Sequence, residues 1–445
     1  MGAPRAYPSG TITGRMMTLN QETKTYRKGE IPGVIAINAR ECKGCDACKR
    51  FCPTGAITGL FGSTHRVDAD LCISCGQCLI NCPFGAPYET VDPVDEVAAK
   101  LADKSVTVVG IIAPAVRVAI GEPFGMPVGS LVTGKMYGAM KKAGFVILDN
   151  NFAADLTIME EGTEFIQRAR HALFGEKAEH GGEIGPLPQF TSCCPAWVRF
   201  VETNYPALIP NLSSAKSPQQ MAGAVAKTYG AAQVFKVAPE SVFTVGIMPC
   251  TAKKFEASRP EFQSAWHFMK EKGATAASKP YPDIDAVLTT RDLARLLKKL
   301  KINLAAENDA EGGTLFAEYT GAGTIFGNTG GVMEAALRTA WVVMTGTPLA
   351  RIEFQAVRGL KGVKSAAVTL RDQKYGKEVT VKVAVVHDIR ANIRPILEDV
   401  VAGRSPYHFI EVMNCPGGCI NGGGQPVCDT GSSWISRVLP SFAWS

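Results

Sequence analysis

EVTVKVAVVHDIRANIRPILEDVVAGRSPYHFIEVMNC, residues 378–415, sets the frame for the whole chain. EVTVKVAVVHD reads as a strand, IRANIRPILEDVVAG as a helix, and HFIEVMNC as a strand ending at Cys415. Working back toward the N-terminus, the same alternation recurs from about residue 105. VTVVGIIAP reads as a buried strand, GKMYGAMKKAGF as a helix, and FVILDNNFAADL as a strand. SPQQMAGAVAKTYG is helical, SVFTVGIMPC is a strand ending at Cys250, and DAVLT leads into the helix TRDLARLLKKL. Such alternation predicts an α/β domain of mainly parallel sheets with flanking helices. Two of its strands end on a cysteine, and strand ends are where α/β folds place ligands.

Two glycine motifs are set aside. GSLVTGKM, Gly129 to Met136, is G-x4-G-K, but a phosphate-binding loop needs Ser or Thr after the lysine to hold magnesium, and Met136 stands there. GAGTIFGNTGG, residues 321–331, is not GxGxxG and reads as a close-packed turn.

The chain has 445 residues, enough for two or more domains and a large core. Apolar residues make up 46 % and charged residues 20 %, as in soluble globular proteins. A net charge of +6 without a Lys/Arg run argues against a nucleic-acid binder. The most apolar stretch, residues 106–120, is too short to span a bilayer and contains Arg117. The N-terminus lacks the apolar region of a secretory signal, which makes the cytoplasm the expected location.

Cysteine is the informative count. There are fourteen, and eight lie between Cys42 and Cys82. They cluster at metal-ligand spacings, so metal is a better reading than disulfides. ECKGCDACKRFCP places Cys42, Cys45, Cys48 and Cys52 before Pro53, and CISCGQCLINCP places Cys72, Cys75, Cys78 and Cys82 before Pro83. This is the C-x2-C-x2-C-x3-C-P run of bacterial two-cluster ferredoxins, present twice. In that pattern the fourth cysteine of each run ligates the other cluster. One 4Fe–4S cluster then takes Cys42, Cys45, Cys48 and Cys82, and the second takes Cys72, Cys75, Cys78 and Cys52. The competing reading is zinc, whose structural sites also use CxxC pairs. Two complete runs, each followed by proline, favour iron–sulfur. Lys43, Lys49 and Arg50 beside these runs suit an acidic electron carrier, although solvated lysines are common near any cluster.

A further four cysteines sit in separate loops marked by Gly and Pro: Cys194 in TSCCPAW, Cys250 in MPCTAKKFE, and Cys415 with Cys419 in EVMNCPGGCINGGGQP. Four thiolates suffice for a third cubane. Glycines at 417, 418 and 422–424 let backbone approach a bulky inorganic group. Buried cysteines that merely pack are common, but packing does not account for CPGGC beside a triple glycine.

Together and in order, behind a ferredoxin module, these three segments resemble the signatures of the iron-only, or FeFe, hydrogenases. The resemblance runs from about residue 36 to 427 and is nearest to the large subunit of the two-cluster, sulfate-reducer type. It implies an H-cluster, a 4Fe–4S cubane joined through a cysteine sulfur to a di-iron unit with carbon monoxide, cyanide and azadithiolate ligands. It implies that Cys194, Cys250, Cys415 and Cys419 hold the cubane, with Cys419 bridging. It implies that Lys253 donates to a cyanide, and that Met248, Met413, Ala113, Pro114, Gln219 and Phe326 line the di-iron pocket. The activity implied is the reversible reduction of protons to dihydrogen.

Cys193 lies beside a ligand in sequence and must face elsewhere. A thiol suits a proton relay. In EEGTEFIQR, Glu161, Glu164 and Arg168 share one helical face. By spacing alone this reads as a solvated charged face. The resemblance makes it a proton route in the order Cys193, Glu161, Ser213, Glu164, Arg168, the last near the surface. Other readings are a non-catalytic iron–sulfur assembly factor, a hydrogen sensor, or a ferredoxin-fused oxidoreductase acting on some other small substrate, which no flavin or nicotinamide fingerprint supports.

The expected organisation is an extended arm at 1–33, a small α+β ferredoxin domain at 34–94, a two-lobed catalytic domain at 95–427, and a short atypical tail at 428–445. The nineteen residues after Pro426 are fewer than single-chain members carry: either a small subunit is a partner, and a signal on it would place the complex in the periplasm, or the tail is atypical or truncated. A ferredoxin-like electron carrier and di-iron maturation proteins are further expected partners. Cys428 lies outside every ligand set.

Overall fold

A computed structural model describes residues 33–178, 183–313, 315–316, 318–347 and 361–427, together with Arg437. The expected N-terminal arm and, apart from Arg437, the tail with Cys428 lie outside the described residues.

The first module is built from short pieces: β1 (Ile35–Ile37), α1 (Ala47–Phe51), β2 (Ile57–Thr58), β3 (Arg66–Val67), α2 (Gln77–Ile80) and β4 (Pro87–Glu89). β1 pairs antiparallel with β4, and β2 with β3. Each helix comes after a left-handed residue, Asp46 at φ 59° and Gly76 at φ 73°, which turns the cysteine loop sharply inward. The apolar core is little more than Val34, Ile35 and Ile57 with Phe255 from the next domain. A core that small needs an inorganic staple.

The linking helix α3 (Val94–Ala102) buries Val94, Val97 and Leu101. Next come the first sheet and its helices: β5 (Thr107–Ile112), α4 (Thr133–Ala143), β6 (Val146–Asp149) and α5 (Asn150–Phe174). The chain crosses to the second sheet with β7 (Gln189–Phe190), α6 (Pro195–Asn204) and α7 (Pro218–Val225), which runs on into a π-helical stretch, Ala226–Phe235. It returns through β8 (Val242–Met248), α8 (Ala252–Ala257), α9 (Ser264–Glu271), β9 (Ala286–Thr289) and α10 (Thr290–Lys299). The second sheet is completed by α11 (Gly321–Ile325), α12 (Gly331–Thr345), β10 (Val363–Asp372), β11 (Lys377–His387), α13 (Ile389–Val401) and β12 (Phe409–Met413).

The first sheet has the order β6-β5-β8-β9 and is parallel throughout. The second has the order β10-β11-β12-β7, parallel except for the β10–β11 hairpin. The expected α/β architecture in two lobes is therefore present.

Four local expectations need correction. FVILDNNFAADL is a strand only as far as Asp149. The Asp149 carboxylate then accepts the Asn151 N–H at 3.0 Å and starts α5, because an Asx cap outweighs the apolar content of residues 150–156. GAGTIFGNTGG is close-packed as expected, yet it holds α11 and the first turn of α12. The strand β10 was not anticipated; it is an edge strand with an exposed face, so its apolar signal is weak. Finally, β8 and β12 end on Met248 and Met413, and the cysteines lie two residues further on, in the loops.

A charged network fastens the module to the catalytic domain. Arg291 donates to the carbonyls of Gly423 (2.8 Å) and Gln425 (2.6 Å) and to Glu89 Oε1 on β4 (2.6 Å). Lys254 bridges Glu89 (2.5 Å) and Asp292 (2.7 Å). Buried charges held in such a set fix register between domains.

Candidate metal centre

Every cysteine among the described residues is a free thiol. In the N-terminal module Cys42, Cys45, Cys48 and Cys82 line one cavity together with Gly44 and His65. This is the set expected from the two-cluster pattern, with the fourth ligand drawn from the other run. In the second set the Cys72 thiol is pushed up by burial and by the neighbouring Cys52, and Cys78 is pushed up by burial and by Cys72 and Cys52. Backbone N–H groups aim at the sulfurs: Ala56 at Cys52 (3.2 Å), His65 at Cys42 (3.3 Å) and Ser74 at Cys72 (3.4 Å). Zinc would draw four ligands to a point about 2.3 Å from each sulfur. Among the described residues no three His, Cys, Asp or Glu side chains converge so tightly.

The second centre forms where the two sheets point their carboxyl ends at each other. Cys250 comes after β8, Cys415 and Cys419 come after β12, and Cys194 is the residue from which α6 starts. Burial raises the Cys250 thiol, and Cys415, Cys194 and Cys419 raise it further, so the four face one another. The loops around them leave no room for side chains. Gly418 has φ 102°, and a Cβ there would stand 2.7 Å from the Thr329 nitrogen. A Cβ on Gly424 would stand 2.9 Å from the Cys250 nitrogen. These residues fit a cubane: four convergent thiols in a cradle that ordinary side chains would fill.

The flanking pocket brings the sequence candidates together. Ala113 donates its N–H to the Ile247 carbonyl (3.0 Å), and Pro114 opens the next turn, setting both beside Met248. Met413 packs with Phe326 and Cys193 in one apolar cluster. Gln219 reaches the Lys253 carbonyl (3.4 Å) and Glu256 (3.1 Å). Lys253 is buried, with its ammonium on Glu256 (2.9 Å) and on the Cys193 carbonyl (3.1 Å). Burial alone would lower its pKa, but Glu256 outweighs burial and the ammonium stays charged.

The Cys193 thiol is pushed up first by burial and then by Glu161, Cys194 and Cys419, so it lies near both the Glu161 carboxyl and the cysteine cluster. Glu161 is 0 % exposed. Burial, then Glu164, push its carboxyl up to about 8. Its Oε1 accepts the Ser192 N–H at 3.3 Å, and its Oε2 makes no hydrogen bond among the described residues. Ser213 is near enough to influence Glu161 and donates its hydroxyl to Glu164 Oε2 at 2.8 Å. Arg168 donates to Glu164 Oε1 at 2.6 Å.

Hydrogen bonds join Ser213 to Glu164 and Glu164 to Arg168, while Cys193 and Ser213 lie near Glu161. The solvated-face reading fails, because Glu161 and Arg168 are buried. Arg168, expected near the surface, is 4 % exposed and is held by the carbonyls of Pro186 (3.0 Å), Pro210 (3.1 Å) and Leu212 (2.9 Å).

Two residues at the site were missed in the sequence. Glu256 is three residues from Lys253 on α8, and that spacing was a usable signal. Gln77 reaches Cys415 from 338 positions away, and nothing local announces it.

Comparison with known proteins agrees with this geometry. The family described as iron only hydrogenase large subunit, C-terminal domain, matches residues 106–423, and a 4Fe–4S dicluster domain matches residues 41–86. The periplasmic [Fe] hydrogenase large subunit of Nitratidesulfovibrio vulgaris is 48 % identical over 395 residues, covering 88 % of this chain and 86 % of that one. The cytosolic Fe-S cluster assembly factor narfl of Danio rerio is 31 % identical over 323 residues, 72 % of each chain. Among solved structures, a variant of the [FeFe]-hydrogenase HydA1 of Chlamydomonas reinhardtii superposes with a TM-score of 0.65 at 35 % identity, over 79 % of this chain and 88 % of that one.

Proposed function

The chain belongs to the iron-only hydrogenase family, and on that premise we propose how its residues carry out the family's reaction. It is an oxidoreductase that reversibly reduces protons to dihydrogen at an H-cluster, with two 4Fe–4S clusters delivering electrons. The single observation that carries this reading is the division of labour at Cys193 and Cys194. Cys194 lies near Cys250, Cys415 and Cys419, which supports a ligand role for it, and Cys193 lies near the buried Glu161, which supports a relay role.

In the proposal Cys42, Cys45, Cys48 and Cys82 hold the outer cluster, and Cys72, Cys75, Cys78 and Cys52 the inner one. Cys194, Cys250, Cys415 and Cys419 hold the third cubane. When bound, the H-cluster supplies the metal site at which dihydrogen is formed or split. The protein's part is to bring protons and exclude water. A proton enters at Glu164, which Arg168 holds in place at 2.6 Å, passes along the Ser213 hydroxyl to Glu161, and reaches the Cys193 thiol. A carboxyl with a pKa near 8 takes and returns a proton at neutral pH without a large free-energy step. Lys253 presents a charged N–H to an anionic ligand, held at the pocket by Glu256. Met248, Met413, Phe326, Ala113, Pro114 and Gln219 shape the pocket and keep it dry. The arm, the 34–94 and 95–427 domains and the short tail remain the proposed divisions of the chain.

The assembly-factor reading has a 31 % relative behind it. An assembly factor has no use for a buried proton row, so the row favours the enzyme. Infrared spectroscopy separates the two. Anaerobically matured protein is expected to show bands of metal-bound carbon monoxide and cyanide. A blank spectrum from protein with intact cubanes would leave the non-catalytic scaffold. The same chain made without di-iron maturation proteins is expected to hold cubanes only.

The proposed electron partner is a small acidic carrier of the ferredoxin kind. Leu60 and Phe61 are 79 % and 78 % exposed on a loop whose Gly62 N–H bonds the Gly44 carbonyl (2.9 Å), between Cys42 and Cys45. Lys49 donates to the Gly59 carbonyl at 2.9 Å, and Lys43 and Arg50 of the same cysteine run are exposed. An apolar tip on a module bearing such basic residues suits an acidic partner, and steering by such charge is screened by salt. The double variant Lys43→Glu/Arg50→Glu should raise KM for the carrier roughly tenfold or more at low salt, on the scale of steered association. Hydrogen-dependent reduction of a small neutral dye should be unchanged. An unchanged KM would remove this face from carrier binding.

No helix among the described residues is long and apolar enough to cross a membrane. We place the enzyme in the cytoplasm. The periplasm, with a small subunit carrying the export signal, is the second reading, favoured by the compartment in the name of the Nitratidesulfovibrio relative.

A further inference from the structure

The contact between the ferredoxin module and the catalytic domain is closest along Ser74–Gln77. The Thr251 hydroxyl, one residue beyond Cys250, donates to the Ser74 carbonyl at 2.6 Å. Gly76 lies against Gly423, so that a Cβ on Gly76 would come within 3.0 Å of the Gly423 Cα. The left-handed Gly76 turns the buried Gln77 side chain into the catalytic domain. There its Nε2 donates to Cys415 Sγ at 3.1 Å and to the Asn421 carbonyl at 3.0 Å. Two acceptors on one end of the carboxamide fix which end is nitrogen, since a carbonyl oxygen facing a sulfur and another carbonyl would be repelled by both.

The position is unusual for a structural glutamine. Gln77 lies between Cys75 and Cys78, two thiols of the inner module cluster, and its amide hydrogen points at a thiol of the third cubane. The path from one metal group to the other is therefore Cys75, the Gly76 peptide, the Gln77 side chain and an N–H···S bond. Hydrogen bonds to ligand sulfurs set the potential of iron–sulfur clusters, because the added electron makes the sulfurs better acceptors and the bond strengthens on reduction.

We propose that Gln77 is a positioning residue for electron entry: it raises the reduction potential of the cubane held by Cys415 and bridges that cubane to the inner module cluster. The step it serves is the passage of one electron from the reduced module cluster to the oxidised cubane, with no bond made or broken. The proposal rests on the assignment of Cys415 as a cubane ligand.

The test is an anaerobic redox titration, read by electron paramagnetic resonance, of the full chain carrying its cubanes without the di-iron unit. Gln77→Met keeps the length of the side chain and removes the donor; Gln77→Glu is isosteric and puts an acceptor against the sulfur. In Gln77→Met the ratio of reduced to oxidised third cubane at a fixed potential should fall about tenfold, which is 59 mV for one electron. Gln77→Glu should lower it further, and the two module clusters should titrate as in the parent. A third cubane that titrates unchanged in both variants overturns the proposal, as does an equal shift of all clusters, which would mean a general loosening. If neither variant retains the third cubane, the parent chain labelled with ¹⁵N in glutamine side chains decides. A nitrogen hyperfine coupling on the reduced cubane supports the bond, and its absence removes it. A parent chain with no third cubane at all would instead sink the assignment of Cys415.

Discussion

Cys193→Ser will keep its full complement of iron and lose at least two orders of magnitude in turnover. The first half rests on geometry. The proposed four-thiol set is Cys194, Cys250, Cys415 and Cys419, which excludes Cys193, and the Cys193 carbonyl, which a serine retains, is the group that Lys253 holds at 3.1 Å. The second half rests on acidity. Burial and the nearby Glu161 keep the Cys193 thiol protonated at rest, so it is a neutral S–H that hands a proton on and takes another back. A serine hydroxyl in the same place is a far weaker acid, and burial would weaken it further. General acid–base catalysis by a positioned group is typically worth about 10²–10⁴ in rate. Iron analysis and the infrared spectrum of the matured variant should match the parent while hydrogen evolution collapses. Turnover within a factor of two or three of the parent would remove Cys193 from the proton route.

That result bears on how much of the molecule the residues disclose unaided. The module was legible because its ligands are local: each run supplies three thiols within seven residues, and spacing alone identifies them. The parallel sheets were legible because β5, β8 and β12 are nearly continuous apolar runs, while β11 alternates at first and ends in a buried run, Val383–Val386. The features that escaped depend on a partner far along the chain. Strand β10 exposes one face and draws its identity from pairing with β11. Arg168 reads as a surface arginine until the Pro210–Leu212 carbonyls close over it. The third thiol set was visible as four cysteines, but which of Cys193 and Cys194 joins it could not be told from a CC pair; the resemblance to a family supplied that. In the structure Cys194 is the residue from which α6 starts, with Pro195 next. Gln77 marks the limit: a glutamine inside a CxxC-type run has no signature when its partner is 338 residues away.

Glu161→Gln should lose about 10²–10⁴ in turnover, and its stability should reveal whether the row has been read correctly. The glutamine has the same shape and can still accept the Ser192 N–H that Glu161 accepts at 3.3 Å, so the fold and the metal sites should survive. It cannot, however, take up and release a proton. The Glu161 carboxyl is raised, by burial and then by Glu164, from its ordinary value to about 8. Between roughly pH 4.5 and pH 8 the folded chain therefore holds a proton that the unfolded chain has released. The stability contributed by the protonated form is fully present below the unfolded pKa and is lost as pH rises through about 8. The glutamine variant lacks this dependence. Relative to the parent it should gain stability as pH is raised from about 5 to about 9, read as a difference in apparent melting temperature under identical anaerobic conditions. The two readouts decide different questions. Parent-level turnover in Glu161→Gln would break the row between Cys193 and Ser213. Lost turnover with no change in the pH dependence of melting would keep the row but show that Glu161 is ionised at rest, with solvent reaching deeper than its burial indicates.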